Sequence, residues 1–331
     1  MATLERKIDP LLSQQLGESR SNTCAQTKRS TAHDNIEHNG VMLLHLDSHD
    51  LINVFKETSI SPKELKACLI ERNTKLVYSP ETIQEVVTPG DLEESRRRLK
   101  LLTTLPKTYI RREQEVLRGE FRCAIEAVRN QKLKSIKTIQ PFVSTWQLVD
   151  VTAAPVLEDQ FMDRLVEIIM PLLRAQPDRF RNTPELKDAF MANVAYDRRE
   201  ENIVGRGSRK VFHDAIGATL ISLGLHPPQP TWSLVDELAD WMFDNPAICP
   251  SWRLLLEAYA EFQVNVRDQG QLGDNPDFAH LSITPYVDAI TLDRRMAGYC
   301  RTASHRLARI GGLDYSPRVF RNLEAWLNRS T

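Results

Sequence analysis

Two acidic residues follow apolar runs that lie more than two hundred residues apart in the sequence. Asp47 ends the run VMLLHLD, and Asp293 ends YVDAITLD, which also contains Asp288. Two further acids lie in helical patterns, Glu85 in PETIQEVV and Asp277 in DNPDFAHLSIT. Carboxylates that meet in one place repel one another unless cations neutralise them. Mg²⁺ or Mn²⁺, which prefer oxygen ligands, would be the natural partners of such a cluster.

The apolar runs predict the strands that would bring these acids together. Strands are predicted at 41–47, 75–79, 107–111 and 286–292, and helices at 61–72, 80–87, 91–105 and 112–135. This alternation predicts an α/β fold with a doubly wound, mostly parallel sheet. Ligand sites in such sheets lie beyond the carboxyl ends of the strands, where the strand order reverses. Asp47 and Asp293 would therefore face one another if their strands were neighbours.

Helix-start signals mark several of the connecting segments. Ser61 can cap a helix that begins at Pro62, and Glu64 completes a capping box. Towards the end of the chain, helices are predicted over 275–284 and 293–310, and a last Ser-Pro-started helix over 316–328.

The domain organisation follows from where the strand signal stops. Residues 1–38 form a polar leader, and the α/β domain is expected at 39–138 and again at 272–331, with its C-terminal helices. Between these parts, 139–271 shows helical periodicity with little strand signal, so we expect a large all-helical insertion.

The composition favours a cytoplasmic protein. No apolar run is long enough for a membrane span, and the first residues lack the apolar core of a signal peptide. The five cysteines are odd in number and form no CxxC pair, which argues against a disulfide framework or a zinc ribbon. We therefore expect a reducing environment and no membrane partner.

Charge is unevenly distributed although the net charge is only −1. Residues 96–137 hold 13 Lys and Arg against 4 Glu, and residues 294–331 hold 8 Arg against 2 acids. Such runs are often solvated helix faces. Basic segments beside a carboxylate cluster are also what an enzyme acting on nucleic acid needs, because cations bind phosphates while acids hold a metal.

The sequence resembles the PIN-domain nucleases, a family of metal-dependent ribonucleases and DNA nucleases. The matching pieces are LLHLDSHDL, KLVYSPETIQEVV and DNPDFAHLSITPYVDAITLDRRM, within about 41–135 and 272–312. The resemblance implies that four acids are catalytic and bind metal, namely Asp47, Glu85, Asp277 and Asp293.

The same resemblance implies a divalent-metal-dependent endoribonuclease. Mg²⁺ or Mn²⁺ would activate water for phosphodiester hydrolysis, leaving a 3′-hydroxyl and a 5′-phosphate. Asp288 is a further candidate metal ligand, and Ser48, Arg294 and Arg295 are candidates for substrate binding. Nucleic acid is the expected partner, with RNA favoured over DNA.

Other functions remain open from the sequence. A non-catalytic PIN-like module could bind RNA or a protein through its helical insertion. A phosphatase that forms an aspartyl phosphate is disfavoured, because its second aspartate would fall at His49. An antitoxin or other protein partner and a homo-oligomer are also open.

Overall fold

The computed structural model describes residues 40–87, 92–130, 139–143, 209–225, 232–265, 267–268 and 274–329. These residues all belong to one compact unit, Gly40–Thr331. The expected leader at 1–38, and residues 144–208 of the expected helical insertion, lie outside the described residues.

The described strands form one sheet. They are β1 (Met42–His45), β2 (Thr74–Tyr78), β3 (Lys107–Ile110), β4 (Phe142–Val143), β5 (Ala289–Thr291) and β6 (Val319–Phe320). Their order is β4-β3-β2-β1-β5-β6, and only the β3–β4 pairing among them is antiparallel. The expected α/β fold with a mostly parallel sheet is confirmed, and the order is compatible with a doubly wound fold. Successive strands are added on one side of β1 up to β4 and on its other side from β5, so the order reverses between β1 and β5.

Helices connect and cover these strands. They are α1 (Ser48–Phe55), α2 (Pro62–Glu71), α3 (Pro80–Val87), α4 (Leu92–Thr104), α5 (Glu113–Arg129), α6 (Arg209–Ser222), α7 (Trp232–Asp244), α8 (Pro250–Val264), α9 (Asp274–Leu281), α10 (Arg294–Arg309) and α11 (Leu323–Leu327). Short 3₁₀ turns lie at Thr284–Tyr286 and Ser316–Arg318. Within the described ranges, no helix combines the length and the apolar character needed to cross a membrane.

The central strands are buried on both faces, which explains their nearly continuous apolar sequence. Leu44 and Leu76 belong to a core that also contains residues of α1 to α4 and α11. Leu43 and Val77, whose side chains point to the opposite face, are also buried. The pairing of β1 with β2 on one side and with β5 on the other sets the position at which Asp47 leaves the sheet.

A second core joins α5 to the helices α6, α7 and α8. Phe121 of α5 packs edge-to-face against Trp252 of α8, with ring centroids 5.4 Å apart. Apolar residues of α6 and α7 complete this cluster. The described helices of the predicted insertion thus share one core with a helix of the α/β part.

The helix-start chemistry follows the sequence signals closely. The Ser61 side chain accepts a hydrogen bond from the Glu64 N–H, while Glu64 accepts one from the Ser61 N–H, so the capping box is confirmed. Ser79 accepts a hydrogen bond from the Thr82 N–H in the first turn of α3. Asp47 and Asp293 cap α1 and α10 in the same way.

The prediction of one long helix over 316–328 is wrong. Val319 and Phe320 instead form β6, which adds to the edge of β5, and the Leu292 N–H donates to the Phe320 carbonyl at 3.0 Å. Helix α11 begins only after Asn322, whose side chain accepts from the Ala325 N–H. Pairing with a strand more than twenty residues away in sequence outweighs the local helical pattern, because it satisfies backbone groups at the sheet edge.

Candidate active site

Asp47 and Asp293 leave adjacent parallel strands at the same edge of the sheet. The pairing of His45 with Ile290 makes β1 and β5 end together, and the Asp47 N–H donates to the Thr291 hydroxyl at 2.9 Å. Each aspartate then caps the following helix: Asp47 accepts from the His49 N–H at 3.2 Å, and Asp293 accepts from the Met296 N–H at 2.7 Å. Both carboxylates are thereby held where the strand order reverses, the expected position of a ligand site.

Glu85 reaches this edge from α3, the helix that follows β2 on the other side of β1. Ser48 links it to the first aspartate, because its hydroxyl lies 3.2 Å from the Asp47 carboxylate and it also forms a hydrogen bond with Glu85. Ser48 therefore lies between two carboxylates in the first turn of α1, and its one hydroxyl proton can be donated to either of them.

Asp277 joins the cluster from α9. Its side chain is 28 % exposed, and its pKa is raised to about 7, first by burial and then by the negative charges of Asp47, Asp293 and Glu85. The imidazole of His280 opposes this rise only in part. The four acids from distant parts of the sequence thus lie in one electrostatic neighbourhood.

No family model, curated protein or solved structure matches this chain. Its function must be inferred from the chemistry of this site.

A buried histidine pair supports the cluster from inside the sheet. His45 Nδ1 lies 2.9 Å from the Val77 carbonyl, His45 Nε2 lies 3.1 Å from His280 Nδ1, and His280 Nε2 lies 3.3 Å from Glu85 Oε2. A carbonyl can only accept, so His45 Nδ1 carries the proton and a neutral His45 accepts from His280 through Nε2. His280 then donates through both nitrogens, to His45 and to the Glu85 carboxylate, and is an imidazolium.

The pKa shifts agree with this assignment of protons. Burial and the neighbouring His280 lower the pKa of His45 to about 3, so His45 stays neutral. Burial disfavours the charged form of His280, but Glu85, Asp47 and Glu81 outweigh it and raise its pKa to about 9. Burial likewise opposes ionisation of Glu85, yet the hydrogen bond and charge of His280 bring its pKa below the ordinary value.

A second cation, Arg295, lies at the start of α10. Its guanidinium binds Asp268 at 3.1 Å and reaches the Asp277 carboxylate only at 4.0 Å. Because Asp268 is the nearer partner, Arg295 leaves most of the charge of Asp277 uncompensated, in keeping with the raised pKa of that carboxyl. Arg294 is exposed beside Asp293.

Two residues of this site, Glu113 and His45, were not identified from the sequence. Glu113 begins α5 directly after β3, and its pKa is raised to about 7 by burial and then by the charge of Glu81. The sequence signal for Glu113 is the same as the signal for Asp47, because each acid follows a strand of the parallel sheet. His45 also had a signal, since it is the one polar ring within the apolar run VMLLHL.

Asp288, the further candidate metal ligand, lies apart from the cluster. The Asp288 side chain accepts a hydrogen bond from the Leu43 N–H at 2.8 Å. Leu43 lies four residues before Asp47, so Asp288 is roughly 13 Å from Asp47 along the strand direction. Asp50 is buried and senses the charge of Asp47, but its carboxyl group is hydrogen-bonded to Thr291 and to the Leu323 backbone. The group that meets at the sheet edge is therefore Asp47, Glu85, Asp277 and Asp293.

Glu120 of α5 has a structural role. It accepts from the Ser251 N–H at 2.9 Å, the Trp252 N–H at 3.3 Å and the Tyr286 hydroxyl at 2.6 Å. It thus caps the start of α8, and its burial raises its pKa to about 7.

The donor set suits a hydrated divalent ion. In the described ranges, no three His, Cys, Asp or Glu side chains are already close enough together to enclose a metal. Mg²⁺ does not need such an enclosure, since it commonly keeps several waters and binds one or two carboxylates. Oxygen donors with mutual repulsion, seen in the raised pKa of Asp277, would be stabilised by such a cation.

Proposed function

We propose that this protein is a divalent-metal-dependent nuclease with a PIN-like fold, and that it hydrolyses phosphodiester bonds of RNA. The observation that carries the proposal is the convergence of Asp47, Glu85, Asp277 and Asp293 beyond the carboxyl ends of β1 and β5. A carboxyl group whose pKa is raised as far as that of Asp277, beside other acids, is typical of functional sites.

The order of these acids along the fold supports the PIN-like assignment. The first follows the first strand, the second lies on the helix after the second strand, the third lies near the start of a helix, and the fourth follows the next parallel strand. The two strand-end aspartates flank the point where the strand order reverses. Each of the four thus has the structural context that the family resemblance implies.

Within this proposal, each residue has a defined task. Asp47 and Asp293, fixed by their helix caps, would together with Asp277 hold one or two Mg²⁺ or Mn²⁺ ions. When bound, such ions supply Lewis acidity and neutralise phosphate charge. Ser48 positions Asp47 and Glu85, and His280 holds Glu85 in its ionised form. The exposed guanidinium of Arg294 is available to the substrate phosphate.

A cleavage assay tests the proposal. Labelled single-stranded RNA and DNA are incubated with the full chain in Mn²⁺, Mg²⁺ or EDTA. We expect cutting that needs metal, is lost in Asp47→Asn and persists in Asp288→Asn, a matched control in which the same change is made away from the cluster. Comparing the two substrates identifies the nucleic acid. Cutting in EDTA, or cutting by Asp47→Asn at the wild-type rate, would contradict the proposal.

A non-catalytic RNA- or protein-binding module is the second candidate. It is favoured by two cations within the site, because His280 pairs with Glu85 and Arg295 reaches Asp277, which offsets part of the negative charge of the cluster. RNA that binds in EDTA and is never cut in either metal would support this second function.

A further inference from the structure

The basic segment 96–137 divides into two surfaces with different charge environments. On α4, arginines are neutralised within the helix: Arg96 pairs with Glu93 at 3.0 Å, while Arg97 and Arg98 pair with Glu94 at 2.7 and 2.8 Å. Two glutamates of α4 thus offset two of the three positive charges of its RRR run. Its sequence therefore overstates the positive charge that α4 offers to a ligand.

The arginines of α5 are arranged differently. Arg118, Arg122 and Arg129 are separated by four and seven residues, which puts them on one face of the helix. They span about 16 Å along the helix axis. Arg111 precedes them by another seven residues, at the carboxyl end of β3.

This row of arginines, Arg111, Arg118, Arg122 and Arg129, lines a groove on the surface. One part, with a volume of ≈ 310 Å³, lies between α5 and the segment that leads into β4. A second part of ≈ 410 Å³ lies between α5 and Leu225, just after α6. Arg122 lines both parts, so the two adjoin one another at that arginine.

The packing around α5 gives the groove defined walls. At Gly119, an added Cβ would lie 3.4 Å from Ile139, so the segment before β4 rests closely on the helix there. Arg118 donates to the Leu223 carbonyl at 3.1 Å, which ties α5 to the end of α6. The α/β part and the helical block therefore build the groove together.

The charge of the groove is positive although it contains acids. Glu115 and Glu126 also line it, and Glu115 lies 3.9 Å from Arg111. Arg122 and Arg129 are exposed, and within the described part of the chain they form no salt bridge. Four arginines against two glutamates leave a net positive surface that complements a row of phosphates.

The groove begins beside the acidic cluster. Arg111 follows β3 at the sheet edge where the strands end, and Glu113, two residues later, senses the charges of Glu81 and His280. Helix α5 then runs away from this edge for seventeen residues, about 25 Å. A chain that occupied the acidic cluster could continue along the arginines.

We propose that the row of arginines on α5 binds the phosphate backbone of single-stranded RNA beyond the position of cleavage. The RNA identity of the ligand rests on the proposed nuclease function. The arginines contact phosphates rather than bases, so this surface contributes affinity without sequence preference. Length selection follows, because a short oligonucleotide cannot reach from the acidic cluster to Arg129.

Binding is measured separately from cleavage, by fluorescence anisotropy of labelled U20 and U5 in EDTA at several salt concentrations. The test variant is the double change Arg122→Gln and Arg129→Gln. The matched control is Arg96→Gln with Arg309→Gln, which removes two exposed arginines outside the groove. We expect the test variant to bind U20 more weakly. The slope of log affinity against log salt concentration should also be smaller in magnitude by about 1.4, because each of the two lost phosphate contacts removes roughly 0.7.

The control variant should match the wild type, and the wild type should bind U20 more tightly than U5. The proposal is overturned if the test variant keeps the wild-type affinity and salt slope, or if a glutamate oligopeptide binds where U20 does not. A groove variant impaired in U20 binding, in a protein that never cuts RNA, would support the groove and refute the nuclease function. If RNA is cut in a metal-dependent way while the variant binds U20 as the wild type does, the nuclease function is supported and the groove is refuted.

Discussion

Replacing Asp277 by asparagine removes one of the four converging charges while nearly preserving the size of the side chain. In the folded protein the pKa of this carboxyl is raised from 3.8 to about 7. The folded state therefore holds a proton that the unfolded chain releases, and stability falls as the pH rises from about 4 to about 7. At about 1.36 kcal/mol per pH unit, the charged carboxylate costs up to about 4 kcal/mol above pH 7.

Asp277→Asn should therefore stabilise the metal-free protein. We expect a gain of about 2–4 kcal/mol at pH 8, the lower value reflecting screening of a partly exposed cluster by counter-ions. The gain should shrink steadily towards pH 4, where the wild-type carboxyl is itself protonated. Urea unfolding in EDTA from pH 4 to pH 8 measures it. Asp288→Asn, the same change away from the cluster, should show no gain that grows with pH.

Metal should reverse the ranking of the two proteins. Mn²⁺ that binds only the folded state raises the free energy of unfolding according to its affinity, and Asp277→Asn lacks one of the proposed ligands. The wild type should thus gain more from Mn²⁺ than the variant does. A variant less stable than the wild type at pH 8 in EDTA would refute the like-charge cluster. Equal stabilisation of both proteins by Mn²⁺ would remove Asp277 from the metal site.

Three further substitutions probe the surroundings of the site by urea unfolding. His280→Gln should destabilise the metal-free protein at pH 7, because the acids lose a buried cation, and the effect should fade as the pH rises through about 9. Glu120→Ala should cost about 3 kcal/mol or more, since three buried donors lose their acceptor. Ser61→Ala should cost about 1 kcal/mol through loss of the α2 cap. A change below 0.5 kcal/mol, by roughly the scatter of neutral surface substitutions, would contradict any of the three.

The parallel strands were predictable because a strand that is buried on both faces consists of a nearly continuous run of apolar residues. β1, β2 and β3 lie within one or two residues of their predicted positions. β4 and β6 have only two residues each. Two residues carry no periodicity, and their strand conformation comes from pairing with β3 and β5. Local sequence could not reveal that contact, so 316–328 was interpreted as a single helix.

The candidate acids were identifiable by their position after strands or near helix starts, as was Ser48, whereas the role of the buried histidine pair was not. His45 lies in the apolar run of β1 and becomes meaningful only once His280, 235 residues later, is seen 3.1 Å away. Glu113 likewise gains its raised pKa from Glu81 on a different helix. Sequence shows which residues can do chemistry, but the pairing that sets their charge depends on contacts between distant elements.

The charge balance of the cluster couples metal to protons. Of the two nearby cations, His280 is committed to Glu85, and Arg295 is mainly committed to Asp268. The remaining repulsion among Asp47, Asp277 and Asp293 must be relieved either by a proton on Asp277 or by a bound cation. A divalent ion that takes the Asp277 carboxylate as a ligand must displace that proton, because only the ionised form binds well. Metal affinity in this site should therefore fall as the pH drops below about 7, the pKa of Asp277.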